Sequence, residues 1–180
     1  MYIFISILLL SSVLYGSAQN HPTDYFQAPL DIPLILSGTF GELRSNHFHA
    51  GIDIKTQGAS GHKVYAVADG YVSRIKVSPW GYGKALYITH PNGYTSVYAH
   101  LSKYHGSIEE HVKNTQYSKE TFAIEIFPQK EELVVRKGDL VAFSGNSGSS
   151  AAPHLHFELR TSKNEFPQNG LHFGFNIKDN

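Results

Sequence analysis

Between residues 34 and 160 this sequence advances in short β-branched and aromatic runs. Each run is ended by glycine, proline or asparagine before a helical period can establish itself. Residues 34–40, 51–55, 63–68, 71–77, 85–90 and 95–101 read as strands, as do 122–127, 133–135, 140–144 and 155–160. Asp69-Gly70, residues 79–83 and Pro91-Asn92-Gly93 supply the breaks between them. Asn92-Gly93 predicts a tight hairpin, because both positions tolerate positive φ. One segment differs: 107–118 predicts the single helix, with Ser107 as N-cap and Glu110 reaching back to it. The expected fold is mainly β, an antiparallel single domain with one short helical insertion.

Composition removes several functions. Fifteen Lys+Arg balance fifteen Asp+Glu, so no charge excess points to nucleic acid or an anionic surface. Aromatic residues have no basic residues interleaved with them, which also argues against single-stranded nucleic acid. A hydrophobic fraction of 41% suffices for a core, and the absence of cysteine excludes disulfide scaffolds, thiol catalysis and Cys-ligated zinc. The first 18 residues read as a signal peptide: an apolar run over 2–14, then Gly16-Ser17-Ala18, with cleavage expected after Ala18. That run is too short to span a bilayer comfortably, and no stable membrane span is expected after cleavage. Its n-region carries no Lys or Arg, and a buried N-terminal strand or helix is the competing reading. An extended lead-in over 19–33, a domain over 34–175 and a polar tail over 176–180 complete the expected organisation.

The eleven histidines need explaining. In Asn46-His47-Phe48-His49-Ala50-Gly51-Ile52-Asp53, strand alternation puts His49, Gly51 and Asp53 on one face, with the glycine leaving room for an ion. Imidazole plus carboxylate suits zinc, and a surface loop that happens to contain histidines is the other reading. In Pro153-His154-Leu155-His156-Phe157-Glu158 the two histidines share one strand face while Leu155 and Phe157 pack on the other. Solvated edge histidines are the competing reading there. Residues 145–150 read as a flexible turn that delivers this strand into a groove. His100, in Tyr98-Ala99-His100-Leu101, means little alone. No G-x-S-x-G elbow accompanies Ser147, Ser149 or Ser150, Gly81-Tyr82-Gly83 is too short to cradle phosphate, and Glu109-Glu110 and Glu131-Glu132 read as solvated.

Taken together, F-G-x-x-R…H-A-G-I-D, V-Y-A-x-A-D-G-x-V, G-Y-G…I-x-H-x-N-G-Y, Y-A-H-L, K-G-D-x-V-A-x-S-G-N-S-G and P-H-L-H-F-E resemble the lysostaphin-type zinc peptidases, family M23, also called LytM domains. The resemblance runs from about Phe40 to Arg160. It implies an antiparallel β domain with a narrow groove, related to the barrel-sandwich hybrid. It implies that His49, Asp53 and His156 hold one Zn²⁺ and leave a fourth position for water. His100 and His154 correspond to the family's catalytic pair, which accepts a proton from the zinc-activated water and supports developing charge. The implied substrates are stem and cross-link peptides of bacterial peptidoglycan, met in the periplasm or cell envelope, or outside the cell.

This chain departs from the family pattern in places. Ala151-Ala152 stand where glycines usually precede the Pro of P-H-L-H, and are expected to reshape the groove rim. Leu43 occupies the place of a tyrosine that in some members binds the tetrahedral intermediate, which leaves Arg44 as the candidate oxyanion donor. The segment 103–132 is expected to form a groove wall. His47 makes a second H-x-H with His49 and is a rival ligand, His90 reads as structural, and His62, His105, His111 and His172 read as solvated. A non-catalytic envelope module that binds wall peptide or activates another hydrolase is the alternative function. A structural zinc domain, in which His100 and His154 merely orient the ligands, is a further one.

Overall fold

The computed structural model describes residues 21–178, so the expected signal peptide lies outside the described residues. The elements are β1 (Leu34–Gly38), β2 (Ile52–Lys55), β3 (Lys63–Tyr65), β4 (Gly70–Val77), β5 (Lys84–Thr89), β6 (Tyr94–Ala99), β7 (Lys103–Tyr104), helix α1 (Gly106–Lys119), β8 (Ile124–Ile126), β9 (Val134–Val135), β10 (Leu140–Phe143), β11 (His154–Thr161), β12 (Pro167–Gln168) and β13 (Ile177–Lys178), with a 3-10 turn at Gly170–Phe173. A ten-stranded sheet runs in the order β13-β1-β2-β11-β6-β5-β4-β8, with β12 on β11 and β9 on β4, while β3-β10-β7 form a second sheet. All these pairings are antiparallel except β1 with β13. No barrel closes.

Alternation divides the large sheet into two faces. Ile52, Ile54, Leu86, Ile88, Leu155, Phe157 and Leu159 are fully buried, and they share one cluster with Val64, Val141 and Ala142 of the small sheet. The opposite face carries a smaller cluster of Ala85, Tyr87, Val97 and Ala99, with Tyr82 packed on it. Asp53, His156 and Glu158 alternate with the core residues of their strands, which places them on that second face. The lead-in does more than connect. Phe26 and Leu30 enter the core, and Gln27 bonds the backbone of Ala66 and Val67, where β3 has already ended.

Three local expectations are corrected. Helix α1 begins one residue before Ser107. His105 is the N-cap and makes no side-chain cap, and Gly106 takes φ +53 to turn the chain out of β7. The carboxylate of Glu109 accepts from the Tyr104 amide at 3.1 Å, taking the role expected of the Ser107–Glu110 pair. In the hairpin between β5 and β6 only Gly93 has positive φ (+84), because Pro91 fixes a turn closed by Gly93 N–H to His90 C=O at 3.2 Å. Helix α1 buries Ile108 and Val112 in the core, and no residue of 103–132 lines the groove described below, so this segment is not its wall.

His90 is structural, as its sequence context implies. Its Nδ1 lies 2.8 Å from the Asp69 carbonyl, which can only accept, so Nδ1 carries the proton and Nε2 accepts from Ser96 Oγ at 2.8 Å. Ser96 in turn lies 3.1 Å from the Tyr98 hydroxyl, whose oxygen accepts from Val67 N–H at 3.0 Å. Burial lowers the His90 pKa, against a weaker opposing pull from Asp69. Between that lowered value and the ordinary 6.5, the unfolded chain binds a proton that the folded chain refuses. Stability is therefore lost as pH falls from about 6.5, by at most about 1.4 kcal/mol per unit from this group. Thermal melts of wild type and His90→Asn from pH 8 to 5 check this: the wild type's advantage shrinks as pH falls. A constant difference would place the histidine's charge elsewhere.

Candidate metal centre

β2 and β11 are paired so that Asp53 stands directly opposite His156. On the other side of β11, His156 faces Ala99, and His100 follows immediately at the end of β6. His49 does not extend β2. It ends an arm over 39–49 that is closed by backbone bonds of 2.8 Å, from Gly41 N to His49 O and from His49 N to Glu42 O. Gly51 has a different purpose from the one expected. A Cβ there would lie 2.3 Å from the Phe157 carbonyl oxygen and 2.6 Å from Glu158 Cγ, so the missing side chain admits β11 and Glu158 rather than an ion.

Three ligand atoms converge. His49 Nε2 lies 3.0 Å from Asp53 Oδ1 and 3.0 Å from His156 Nδ1, and His156 Nδ1 lies 2.9 Å from Asp53 Oδ1. All three residues are buried or nearly so. Each imidazole has its other nitrogen tied down. His49 Nδ1–H donates to the Thr39 carbonyl at 2.8 Å, and His156 Nε2–H donates to Glu158 Oε1 at 2.7 Å. Glu158 is 1% exposed and is itself held by Arg160 Nε at 2.5 Å and by the Tyr82 hydroxyl. The two nitrogens that face each other and Asp53 Oδ1 thus need a proton or a metal cation between them. Ligands about 2.0–2.1 Å from a tetrahedral zinc stand roughly 3.3 Å apart, close to these separations. Two imidazoles and one carboxylate, each supported by an outer acceptor or donor, fit zinc.

Ionisation follows the same demand for positive charge. Burial would lower His156, but the bonds to Asp53 and Glu158 outweigh it and raise it to about 9. Burial would raise Glu158, yet His156 and Arg160 bring it down to about 2. Asp53 is held far below the usual carboxylate range, burial being overcome by bonds from His154, His156 and His49.

His100 and His154 stand beside this cluster, their ring centroids 4.7 Å apart. His100 Nδ1–H donates to the Ser147 carbonyl at 2.9 Å, and His154 Nδ1–H to the Ala152 carbonyl at 2.8 Å. In each ring this leaves Nε2 for chemistry, and His154 Nε2 lies 3.4 Å from Asp53 Oδ1. Burial lowers His100 to about 4, with His154 and His156 adding to the effect against the Ser147 bond, so it is neutral near pH 7. A groove of about 770 Å³ opens over the cluster, with Ala151, Ala152 and Pro153 on its rim. The turn over 145–150 is not a flexible tether. Ser147 Oγ accepts from Lys84 N–H at 2.9 Å, and a Cβ on Gly148 would lie 2.3 Å from the Gly81 carbonyl oxygen, so the turn is packed onto the loop before β5.

All five residues singled out in the sequence meet here. His47, the rival ligand, is exposed and bonds Asn46 at 2.6 Å. Leu43 is exposed as well. Arg44 lines the groove, but it is not a free donor there: its Nη2 donates to Asp53 Oδ2 at 2.9 Å. Glu158, Arg160 and Tyr82 were given no role. Glu158 was within reach, since the alternation that pairs His154 with His156 also includes it. Of the other histidines, His62 and His111 are partly covered, His111 lying 3.3 Å from Glu132, while His105 and His172 are exposed.

Comparison with known proteins bears on the family and the fold. Residues 47–117 match the model of Peptidase family M23. The chain is 33% identical over 118 residues to the DD-carboxypeptidase/endopeptidase Mpg of Neisseria meningitidis serogroup B, covering 66% of this chain and 21% of Mpg. It is 31% identical over 122 residues to the murein hydrolase activator NlpD of Escherichia coli, covering 68% of this chain and 25% of NlpD. The chain therefore spans only about a fifth to a quarter of these relatives' length. The catalytic domain of the antimicrobial peptidase lysostaphin from Staphylococcus simulans superposes with a TM-score of 0.54 at 24% identity, covering 76% of this chain and 86% of that domain. The chain belongs to the M23 peptidase family.

His100 also carries backbone strain. Its φ is +57, and its amide and carbonyl are held by Tyr82 O at 2.9 Å and Ser147 N at 3.4 Å. A non-glycine residue in this region costs about 1–2 kcal/mol. His100→Gly and His100→Ala both delete the imidazole, but only glycine relieves the strain. Urea unfolding is expected to find His100→Gly the more stable by about 1 kcal/mol. Equal stabilities would mean that the conformation is unstrained.

Proposed function

We propose that the chain is a zinc metallo-endopeptidase that hydrolyses peptide cross-links of bacterial peptidoglycan. The observation that carries the reading is the convergence of His49 Nε2, Asp53 Oδ1 and His156 Nδ1, with two further imidazoles beside them on the groove floor. The family is generally zinc-dependent. Mpg, whose name records carboxypeptidase and endopeptidase activity, supports the reaction class. His49, Asp53 and His156 would hold the ion. When bound, zinc supplies a Lewis acid that polarises the scissile carbonyl and makes water nucleophilic near neutral pH.

The chain's own residues do the rest. The groove holds an extended peptide so that one carbonyl lies over the cluster. His100, neutral near pH 7, and His154, each fixed by a backbone carbonyl at Nδ1, present Nε2 as proton acceptor and as support for the charge that develops on the substrate. The water proton taken up is returned to the departing amine as the C–N bond breaks, so no covalent enzyme intermediate is needed.

The domain over 34–175 would act after export, with 1–18 removed as a signal peptide, in the periplasm or envelope. Among the described residues no helix is long and apolar enough to cross a membrane. The second reading, a module that activates another hydrolase, draws support from the similarity to NlpD. Against it, five residues suited to hydrolysis are present together, and an activator has no use for an activated water.

Mass spectrometry of cross-linked peptidoglycan fragments, incubated with the purified chain with and without a chelator, separates the two. Chelator-sensitive loss of dimers with new peptide termini is expected. His154→Ala is expected to keep one zinc per chain and lose turnover by at least ~100-fold, while His156→Ala loses the metal. Intact dimers in zinc-loaded, folded protein would favour the activator. Loss of zinc and fold together in His154→Ala would favour a structural zinc domain.

A further inference from the structure

We propose that the arm over 39–49 acts, through Arg44, as a positioning clamp for the metal-binding carboxylate of Asp53, and that Gly38 is glycine to make room for it. This rests on the zinc reading above and assigns residues to which that reading gives no part.

Four contacts define the clamp. Arg44 Nη2 donates to Asp53 Oδ2 at 2.9 Å and to Glu42 Oε2 at 3.2 Å. The same Glu42 oxygen accepts from the Thr39 amide at 3.2 Å, and the Thr39 carbonyl accepts from His49 Nδ1 at 2.8 Å. One short segment thus fixes the tautomer of the first ligand and ties up the outer oxygen of the second. With Oδ2 engaged by Arg44, Asp53 offers the ion only Oδ1, the oxygen already within 3.0 Å of both ligand imidazoles.

Gly38 supplies an independent observation. It pairs with Asp53 across β1 and β2, where the register shifts. A Cβ at Gly38 would lie 2.5 Å from Arg44 Nη2 and 2.5 Å from Asp53 Oδ2. Gly38 is not among the glycines with positive φ, so backbone conformation does not demand it and the space alone does. The Arg44 side chain is 35% exposed, and a pair so open to water adds little to folding. Its consequence falls on the geometry of Asp53. Arg44 is a positioning residue: it would touch the ligand, not the reacting atoms.

The test measures metal rather than turnover first. Zn²⁺ affinity of the purified chain is titrated against a chromophoric chelator, and the visible spectrum of the Co²⁺-loaded form is recorded. Arg44→Ala and Gly38→Ala are each expected to weaken Zn²⁺ binding by ~10–100-fold and to alter the Co²⁺ spectrum, with Arg44→Lys recovering part of both. Melting of the metal-free variants is expected to shift by less than about 5 °C. Gly38→Ala reaches the same pair sterically, so an unstable Arg44→Ala leaves the inference open to refutation. Wild-type affinity and spectrum in both alanine variants, with only KM for a peptide substrate raised in Arg44→Ala, would make Arg44 a substrate contact and overturn the clamp. A wild-type chain that binds no Zn²⁺ would instead overturn the zinc reading, and the clamp with it.

Discussion

The demand for positive charge among three converging ligand atoms governs this site and much of what surrounds it. His49 Nε2, Asp53 Oδ1 and His156 Nδ1 sit within 3.0 Å of one another, with both imidazoles holding their protons on the far nitrogen. A unit positive charge about 3 Å from a carboxylate gains roughly 5 kcal/mol at an effective dielectric of about 20, before desolvation is subtracted. That gain outweighs the burial of His156 and raises its pKa in the absence of an ion. A proton or a metal can meet the need. The outer contacts decide how rigidly the site waits for it: Thr39 behind His49, Arg44 behind Asp53, and Glu158 behind His156.

Those contacts work because the sheet is an unyielding platform. Core and site occupy opposite faces of the same strands, so every residue that aims a ligand has neighbours buried among aliphatic side chains. Ile52 and Ile54 flank Asp53, and Leu155 and Phe157 flank His156, all four at 1% exposure or less. Moving either ligand would mean unpacking the core. His49, His100 and His154 lie at strand ends or outside strands, and backbone hydrogen bonds secure them instead. The strained φ of His100 lies on this less constrained side, where the chain must turn sharply to present an imidazole over the groove.

Local rules made the succession of strands and the shared face of His154 and His156 legible, because alternation depends only on the period of a strand, whereas only the family resemblance joined His156 to Asp53. What escaped depends on residues far apart in sequence. Gly51 looked like room for an ion, whereas its neighbour is Glu158, more than a hundred positions away. Arg44 looked like a free donor, because nothing in a linear sequence shows an arm folding back to set its guanidinium on Asp53 Oδ2. Ser107 satisfied a capping pattern, but the tight exit from β7 needed Gly106 at positive φ and moved the helix start. The 145–150 turn has the composition of a tether, and only its packing on Gly81 and Lys84 makes it rigid.

The choice of nitrogen in each ligand follows from where it stands. Asp53 and His156 are direct cross-strand partners, and such side chains leave the sheet with Cβ atoms about 5 Å apart. At that separation a short carboxylate and the nitrogen nearer the backbone, Nδ1, meet at 2.9 Å, whereas Nε2 would overshoot. Nε2 then reaches along the strand to Glu158, two residues on and therefore on the same face. His49 approaches from an arm outside the sheet and uses its longer reach through Nε2, leaving Nδ1 for Thr39. The single strand β11 thus carries, at alternate positions, a groove histidine, a ligand and the ligand's support. The P-H-L-H-F-E motif reads as one physical unit because its residue period is the period of the strand itself.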